Sequence, residues 1–442
     1  MVEHLSRTRA ARTRARGPRR RLGSVVALVA ATVLSLSACD VWEQAGRLPD
    51  AGRFNPEEVA ITPSNVASLS GAWSADVTGS FSEPLLSGDR LYTTVVSGAS
   101  GVVRAYDVTT GAVVWERPTP ASSGAPGPVV MVAGDLWVSS GTGCSGVLSK
   151  LDPATGNVLA TETTGPALVG AFVASGSTVA SVQNGCVTDR RPQLVVRDLV
   201  SPAANWTFAF PDGALMTPPS ISHDKIYVVA DNLVYAFGAT GCGAATCTPL
   251  WTSSLDVDGA EVIDSGERPV IGPDGTVYVG GLTHSIQTLV EAIDGETGAH
   301  LWRTDLHPGP GRGWQYLAFA HDQLYVSDQR QGNPSSAVEV FAAAGCGQDV
   351  CAPAWSAAID GQPVGGLTIG GDVLYVGLLA GNGTGRLAAY GAHGCGSTTC
   401  PRLAAIEVGQ RSPLRFAVAG GRFAMVSVRS SAATLTVLVP AS

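Results

Sequence analysis

A turn followed by an apolar, alternating strand recurs eight times in this chain. The copies are SGDRLYTTV (87–95), AGDLWVSS (133–140), SGSTVASV (175–182), SHDKIYVV (222–229), PDGTVYVG (273–280), AHDQLYVS (320–327), GGDVLYVG (370–377) and GGRFAMVS (420–427). Their starts lie roughly 42 to 51 residues apart. A period of that length marks a repeat architecture, and each unit has room for four short strands. Glycine (54) and proline (27) are abundant, and charged residues make up only 14% of the chain. That mix suits short strands and tight turns rather than helices.

A second signature follows within each unit. AYDVTTGAVVW (105–115) and AIDGETGAHLW (292–302) both read A-x-D-x-x-T-G-x-x-x-W, and LDPATGNVLA (151–160) is a third copy with alanine in the tryptophan place. Asp107, Asp152 and Asp294 can bond their own backbone in a turn, while Gly111, Gly156 and Gly298 supply positive φ. The aromatic at the end of the next strand can wedge between neighbouring sheets. Over roughly residues 70–440 these motifs resemble the eight-bladed repeat of quinoprotein alcohol dehydrogenases and of their non-catalytic relatives, among them a lipoprotein that assists outer-membrane barrel assembly. The resemblance implies an all-β fold, an eight-bladed β-propeller of four-stranded antiparallel blades.

The tryptophans also indicate how such a ring closes. Trp115, Trp206, Trp251, Trp302 and Trp355 end the fourth strands of units one, three, four, five and six, and Ala160 and Ala404 stand there in units two and seven. Unit eight has no fourth strand after FAMVSV and TLTVLV, yet GAWSADV (71–77) carries Trp73 with no preceding unit. The N-terminal strand is therefore expected to complete the last blade, which would leave no open sheet edge.

The first 38 residues read as a signal sequence. Eight arginines lie between Arg7 and Arg21, an apolar stretch follows (22–38), and Cys39 comes next. The stretch is too short and wrongly flanked for a lasting span. Leu36-Ser37-Ala38-Cys39 resembles a bacterial lipobox, which implies cleavage before Cys39, a lipid on its sulfur and a place on the outer face of the cell membrane. Arg19-Arg20-Arg21-Leu22 leaves twin-arginine export open. Residues 39–70, polar and proline-marked, read as a flexible tether, and 71–442 as the propeller. The whole chain counts 28 basic and 36 acidic residues; eight arginines and one glutamate fall in the first 38, so the remainder carries 20 against 35, a net of −15. Such a surface repels phosphate backbones, so nucleic acid is not expected as a partner. A monomer is expected.

Eight cysteines follow Cys39, an even number suited to an oxidising compartment. GCGAATC (241–247), GCGQDVC (345–351) and GCGSTTC (394–400) replace the Asp-x-x-Thr-Gly turn in units four, six and seven. The pairs Cys242–Cys247, Cys346–Cys351 and Cys395–Cys400 are expected to be local disulfides. Metal binding, with His393 as a third ligand beside Cys395, and redox chemistry are the rival readings. Four ligands are wanted for a structural zinc, and a redox motif spaces its cysteines by two residues, not four. Cys144 and Cys186 occupy matching loops of adjacent units and are expected to bridge them.

No catalytic, cofactor or metal residue can be carried over from the resemblance. The dehydrogenases hold a quinone in a funnel with calcium, a catalytic aspartate and typically a vicinal disulfide. This chain has no Cys-Cys dipeptide, no G-x-S-x-G and no H-E-x-x-H. His223 and His321 read as turn residues. The acidic run DVDGAEVIDSGER (256–268) lacks the full calcium-loop pattern and reads as a solvated loop. The loops after the second and fourth strands share one face and gather Arg190, Arg191, Asp256, Asp258, Glu261, Trp314, Tyr316, Asp328 and Arg330. Loops on a rigid scaffold commonly carry function. The expected function is a non-catalytic extracytoplasmic scaffold that binds protein or cell-envelope partners there. The alternatives are a quinone-dependent dehydrogenase, which would need pyrroloquinoline quinone and calcium, and a propeller that binds glycan or cell-wall polymer.

Overall fold

Each of the eight repeats forms an antiparallel sheet. The computed structural model describes residues 41–97, 100–119, 127–142, 145–165, 172–183, 191–255, 262–264, 267–283, 287–308, 315–328 and 337–441. The expected signal sequence, Cys39, Cys144 and Cys186 lie outside them, and with them the expected Cys144–Cys186 bridge. Blade 1 runs through Leu85–Ser87, Arg90–Ser97, Ser100–Asp107 and Val113–Pro118. Blades 2 to 7 repeat that order, and their first strands begin at Val129, Val173, Ser220, Val270, Gln315 and Thr368. The second strands are buried on both faces, as in Lys225–Ala230 (KIYVVA), so they read as continuous apolar runs. The outer strands alternate instead, as Ala404–Glu407 does, because one side meets solvent.

Blade 8 draws on both ends of the propeller. Ser412–Ala419, Arg422–Arg429 and Ala432–Val439 give three strands, and Ser70–Thr78 pairs antiparallel with the third, Ser74 opposite Thr436.

Neighbouring blades meet through one repeated contact. The tryptophan does not end a fourth strand as expected but stands at or near its start, opening Trp206–Ala209, Trp251–Ser254 and Trp355–Ala358. It lies over a glycine in the turn between the third and fourth strands of the next blade. The pairs are Trp73–Gly111, Trp115–Gly156, Trp206–Gly241, Trp251–Gly298, Trp302–Gly345 and Trp355–Gly394. All six glycines have φ between +70° and +80°, and a Cβ on any of them would stand 2.5–3.2 Å from the indole. Glycine is thus required twice, by the backbone and by the ring above it. Where the fourth strand carries Ala160 instead, the facing turn of blade 3 has no such glycine; it is built on Asp198, which accepts the N–H groups of Val200 and Ser201.

The three cysteine loops are closed by disulfides, Cys242–Cys247, Cys346–Cys351 and Cys395–Cys400, with Cα atoms 5.5–5.6 Å apart. They do more than turn the chain. Each lies parallel along the fourth strand of the preceding blade. Thr207 bonds Ala245 and Cys247, Arg303 bonds Asp349 and Cys351, and Ser356 bonds Thr398, at 2.8–3.2 Å. In blade 7 the loop becomes a short strand, Thr399–Cys400, added to the sheet of blade 6. The disulfide-closed loop therefore covers an outer sheet edge that would otherwise face solvent.

Residues 41–69 are not a free tether. From Trp42 to Glu58 the chain runs around the axis as a strap and meets the first strand of every blade in order. Trp42 and Leu86 exchange backbone bonds in blade 1, and Met131 of blade 2 donates to Glu43. The Gln44 amide brackets Ala174 of blade 3, donating to its carbonyl and accepting from its N–H. The backbone N–H groups of Ile221, Ile271, Phe319 and Ile369, in blades 4 to 7, donate to Pro49, Asp50, Gly52 and Arg53 at 2.9 Å. Asn55 then donates to Val418, and Glu58 accepts from Gly421, both in blade 8. Trp42, Ala51, Asn55 and Glu58 are buried. The reason is elementary: the first strands present unpaired N–H groups toward the axis, and buried donors need acceptors. The strap holds Arg47, Ala51 and Arg53 at φ of 72°, 61° and 54°, an uncommon region for side-chain-bearing residues.

Candidate functional site

Within each blade, the turns after the first and third strands share one face of the ring, here called the turn face, and the loops after the second and fourth share the other. The strap separates the two ends of the axis.

Of the residues expected on the loop face, Arg190, Asp256, Asp258, Glu261, Trp314 and Arg330 lie outside the described residues. Arg191 is exposed. Asp328 ends the second strand of blade 6, where it pairs with Gln315. Tyr316 does not stand on a loop as expected: it is the second residue of a first strand, paired with Ser327 and half-buried. Part of the acidic run is also strand, Val262–Asp264, paired with the second strand of blade 5. The sequence missed what lies beneath. Arg53 of the strap bonds Glu267 at 3.0 Å with 14% of its side chain exposed. Burial works to lower this guanidinium, but Glu267 and Glu83 hold it above its ordinary value. Burial, then Arg53 itself, pushes the buried Arg268 down to about 10, so it stays charged at neutral pH. Arg268 also donates to the carbonyl of Ala45, and Glu83 accepts from Gly46 at 2.9 Å. Burial, then Glu267, raises the Tyr316 hydroxyl. Two acids thus stand beside two arginines and balance them.

On the turn face a pocket of about 630 Å³ opens over the strap. Arg47, Asp50, Phe54 and Glu58 of the strap line it, together with Phe319, His321, Asp322 and Asp372 from blades 6 and 7. Burial raises the Asp50 carboxyl above the ordinary range, against a hydrogen bond from Gly52 and the nearby Arg268 and Arg47. His223 and His321 do sit in turns, at φ of 50° and 53°.

Residues 68–163 and 144–285 match the family model described as outer membrane protein assembly factor BamB. The chain belongs to the PQQ-like propeller family. Within that family it resembles dehydrogenases and BamB alike. Quinohemoprotein alcohol dehydrogenase from Comamonas testosteroni aligns with a TM-score of 0.66 at 14% identity, over 91% of this chain and 81% of that one. A europium-containing methanol dehydrogenase gives 0.63 at 12%, over 90% and 98%. BamB from Moraxella catarrhalis gives 0.56 at 16%, over 84% and 99%. At such identities the likeness is one of fold. No protein of curated function matches the sequence. No helix among the described residues is long and apolar enough to cross a membrane.

Proposed function

We propose that this PQQ-like propeller is an extracytoplasmic scaffold, lipid-anchored through Cys39, that binds a protein partner of the cell envelope by its loop face. The observation that carries this reading is the strap. The axis of the ring, where a propeller enzyme of this family would hold a flat cofactor, is taken by the chain's own residues 42–58, bonded to all eight blades. The charges there do not fit a calcium–quinone pair. Calcium wants six to eight oxygen ligands, whereas Glu83 and Glu267 are already matched by Arg53 and Arg268. The match to the assembly-factor family supports a protein partner in the envelope.

Two measurements test the reading. Pyrroloquinoline quinone with calcium, titrated into the full chain, is expected to leave absorbance and melting temperature unchanged. Saturable quinone binding accompanied by dye-linked alcohol oxidation would overturn the scaffold reading. Cross-linking on intact cells is expected to give discrete adducts in the membrane fraction, mapping to the loop face beside Arg191 rather than to the cysteine turns.

A further inference from the structure

The geometry points to a divalent-cation site on the turn face, formed by His321, Asp372 and His393 and suited to a zinc-class ion. His321 comes from the first turn of blade 6, Asp372 from the same turn of blade 7, and His393 from the cysteine loop of blade 7. One ring nitrogen of each histidine and one carboxylate oxygen of Asp372 all lie within 4.8 Å of one another.

A surface ion pair would account for part of this. His393 Nε2 and Asp372 Oδ1 are 2.9 Å apart. It does not account for His321, which reaches in from another blade and places its ring 4.2 Å from that of His393. Nor does it account for the state in which His321 is held. Its Nε2 lies 2.9 Å from the Gly371 carbonyl. A carbonyl only accepts, so that nitrogen carries the proton and the lone pair is left on Nδ1. A histidine fixed in this way by a backbone carbonyl is the form that ligates metals.

The frame around the three groups is rigid. His321 sits in a tight turn at φ 53° and packs edge-on against Phe54 of the strap, ring centroids 4.7 Å apart. His393 stands two residues before Cys395, whose disulfide to Cys400 closes the loop. That same bond removes Cys395 from the possible ligands. The movable members are Asp372 and His393, with 60% and 58% of their side chains exposed. Ligand atoms on a tetrahedral zinc are about 3.3 Å apart, so side-chain rotation has only to close the longest separations.

Two imidazoles and a carboxylate select zinc and its neighbours over calcium or magnesium, which prefer all-oxygen shells. Three protein ligands leave one position open. His321 and Asp372 also line the 630 Å³ pocket, so that position lies at the pocket's edge.

The test is a zinc titration of the full chain with its disulfides intact, followed by calorimetry and melting temperature. One ion per chain is expected, with a rise in melting temperature that EDTA reverses. Cobalt(II) should give the visible bands of a four-coordinate site. H393A and D372N should each weaken uptake at least ten-fold. Both residues are exposed, so the metal-free melting temperature of these variants should match that of the parent chain. H300A, which removes a histidine paired with Glu291 and Asp349 elsewhere on the ring, should bind as the parent does. Absence of saturable uptake would overturn the proposal. So would uptake that is unchanged in H321A and H393A.

Discussion

The indole of Trp73 donates to the carbonyl of Val108 at 2.9 Å. Trp73 lies in the strand paired with blade 8, and Val108 follows the third strand of blade 1. The same bond recurs down the ring, from Trp115 to Pro153, Trp251 to Gly295 and Trp302 to Ala343, at 2.9–3.1 Å. The junction between last and first blades is thus built like the others. Trp73→Ala is expected to cost about 3 kcal/mol, the low end for such truncations because one edge of the ring is exposed. Gly111→Ala should cost about 2 kcal/mol, since a Cβ there meets the indole at 2.6 Å from a backbone at φ +73°. Denaturant midpoints check both, and an unchanged midpoint in Trp73→Ala would refute the junction.

The strap should behave as core. Trp42 is fully buried, and Trp42→Ala is expected to cost about 3–5 kcal/mol. Removing residues 41–58 should lower the melting temperature sharply. A tether would leave it unmoved.

The cysteine loops predict a graded response to reductant. Each disulfide closes a ring of a few residues and contributes about 2 kcal/mol in the chain-entropy model. Cys247, Cys351 and Cys400 are buried against the neighbouring blade while their partners are exposed, so reduction loosens a clasp between blades as well as a loop. Alkylation before reduction should leave all six cysteines unmodified, and each Cys→Ser pair should lower the melting temperature by a similar step.

Acid should find the turns. Hydrogen bonds from Thr110 hold the Asp107 carboxyl below its ordinary value, and those from Thr297 do the same for Asp294. A carboxyl depressed in the folded state contributes stability that is present above the unfolded value, about 3.9, and is lost as pH falls through the folded one. The variant carrying Asp107→Asn and Asp294→Asn should therefore show a flatter fall in melting temperature between about pH 5 and 3. Asp50, raised by burial, acts in the opposite sense: its cost at neutral pH is relieved as pH falls.

The parts legible in the sequence are those written in side chains. Eight apolar strands, the Trp–Gly partnership and the paired cysteines each leave a periodic trace. The strands are buried on both faces rather than alternating as expected, and Trp73 marks the fourth strand of blade 8. The strap left almost none. Its bonds to blades 4 to 7 are made by main-chain carbonyls of Pro49, Asp50, Gly52 and Arg53, which any residue could supply. Polar residues and two prolines, Pro49 and Pro56, therefore read as a linker, with Trp42 the one discordant sign. The cysteine loops pair with their neighbours through backbone as well, so composition revealed the staple and hid the clasp. His321 and Asp372 could have been found by laying the turns AHDQ and GGDV side by side, since adjacent blades bring equivalent turns together. Tyr316 was misplaced because strand Gln315–Ala320 begins earlier than its glycine-rich approach suggested.

The strap also sets a number. It precedes every blade it touches and meets them in chain order, at a sequence separation of 130 residues for Gln44 with Ala174 and 363 for Asn55 with Val418. Loop-closure entropy grows slowly with length, and that whole extension adds only about 0.9 kcal/mol. A chain made from its N-terminus thus presents the acceptors first, and each finished blade finds the next one waiting. A ring of seven blades would leave an acceptor of the strap without its strand, and a ninth blade would find none. Blade count, in this molecule, is templated by seventeen residues, of which only Phe54 and Asn55 join a sheet, pairing parallel with the first strand of blade 7.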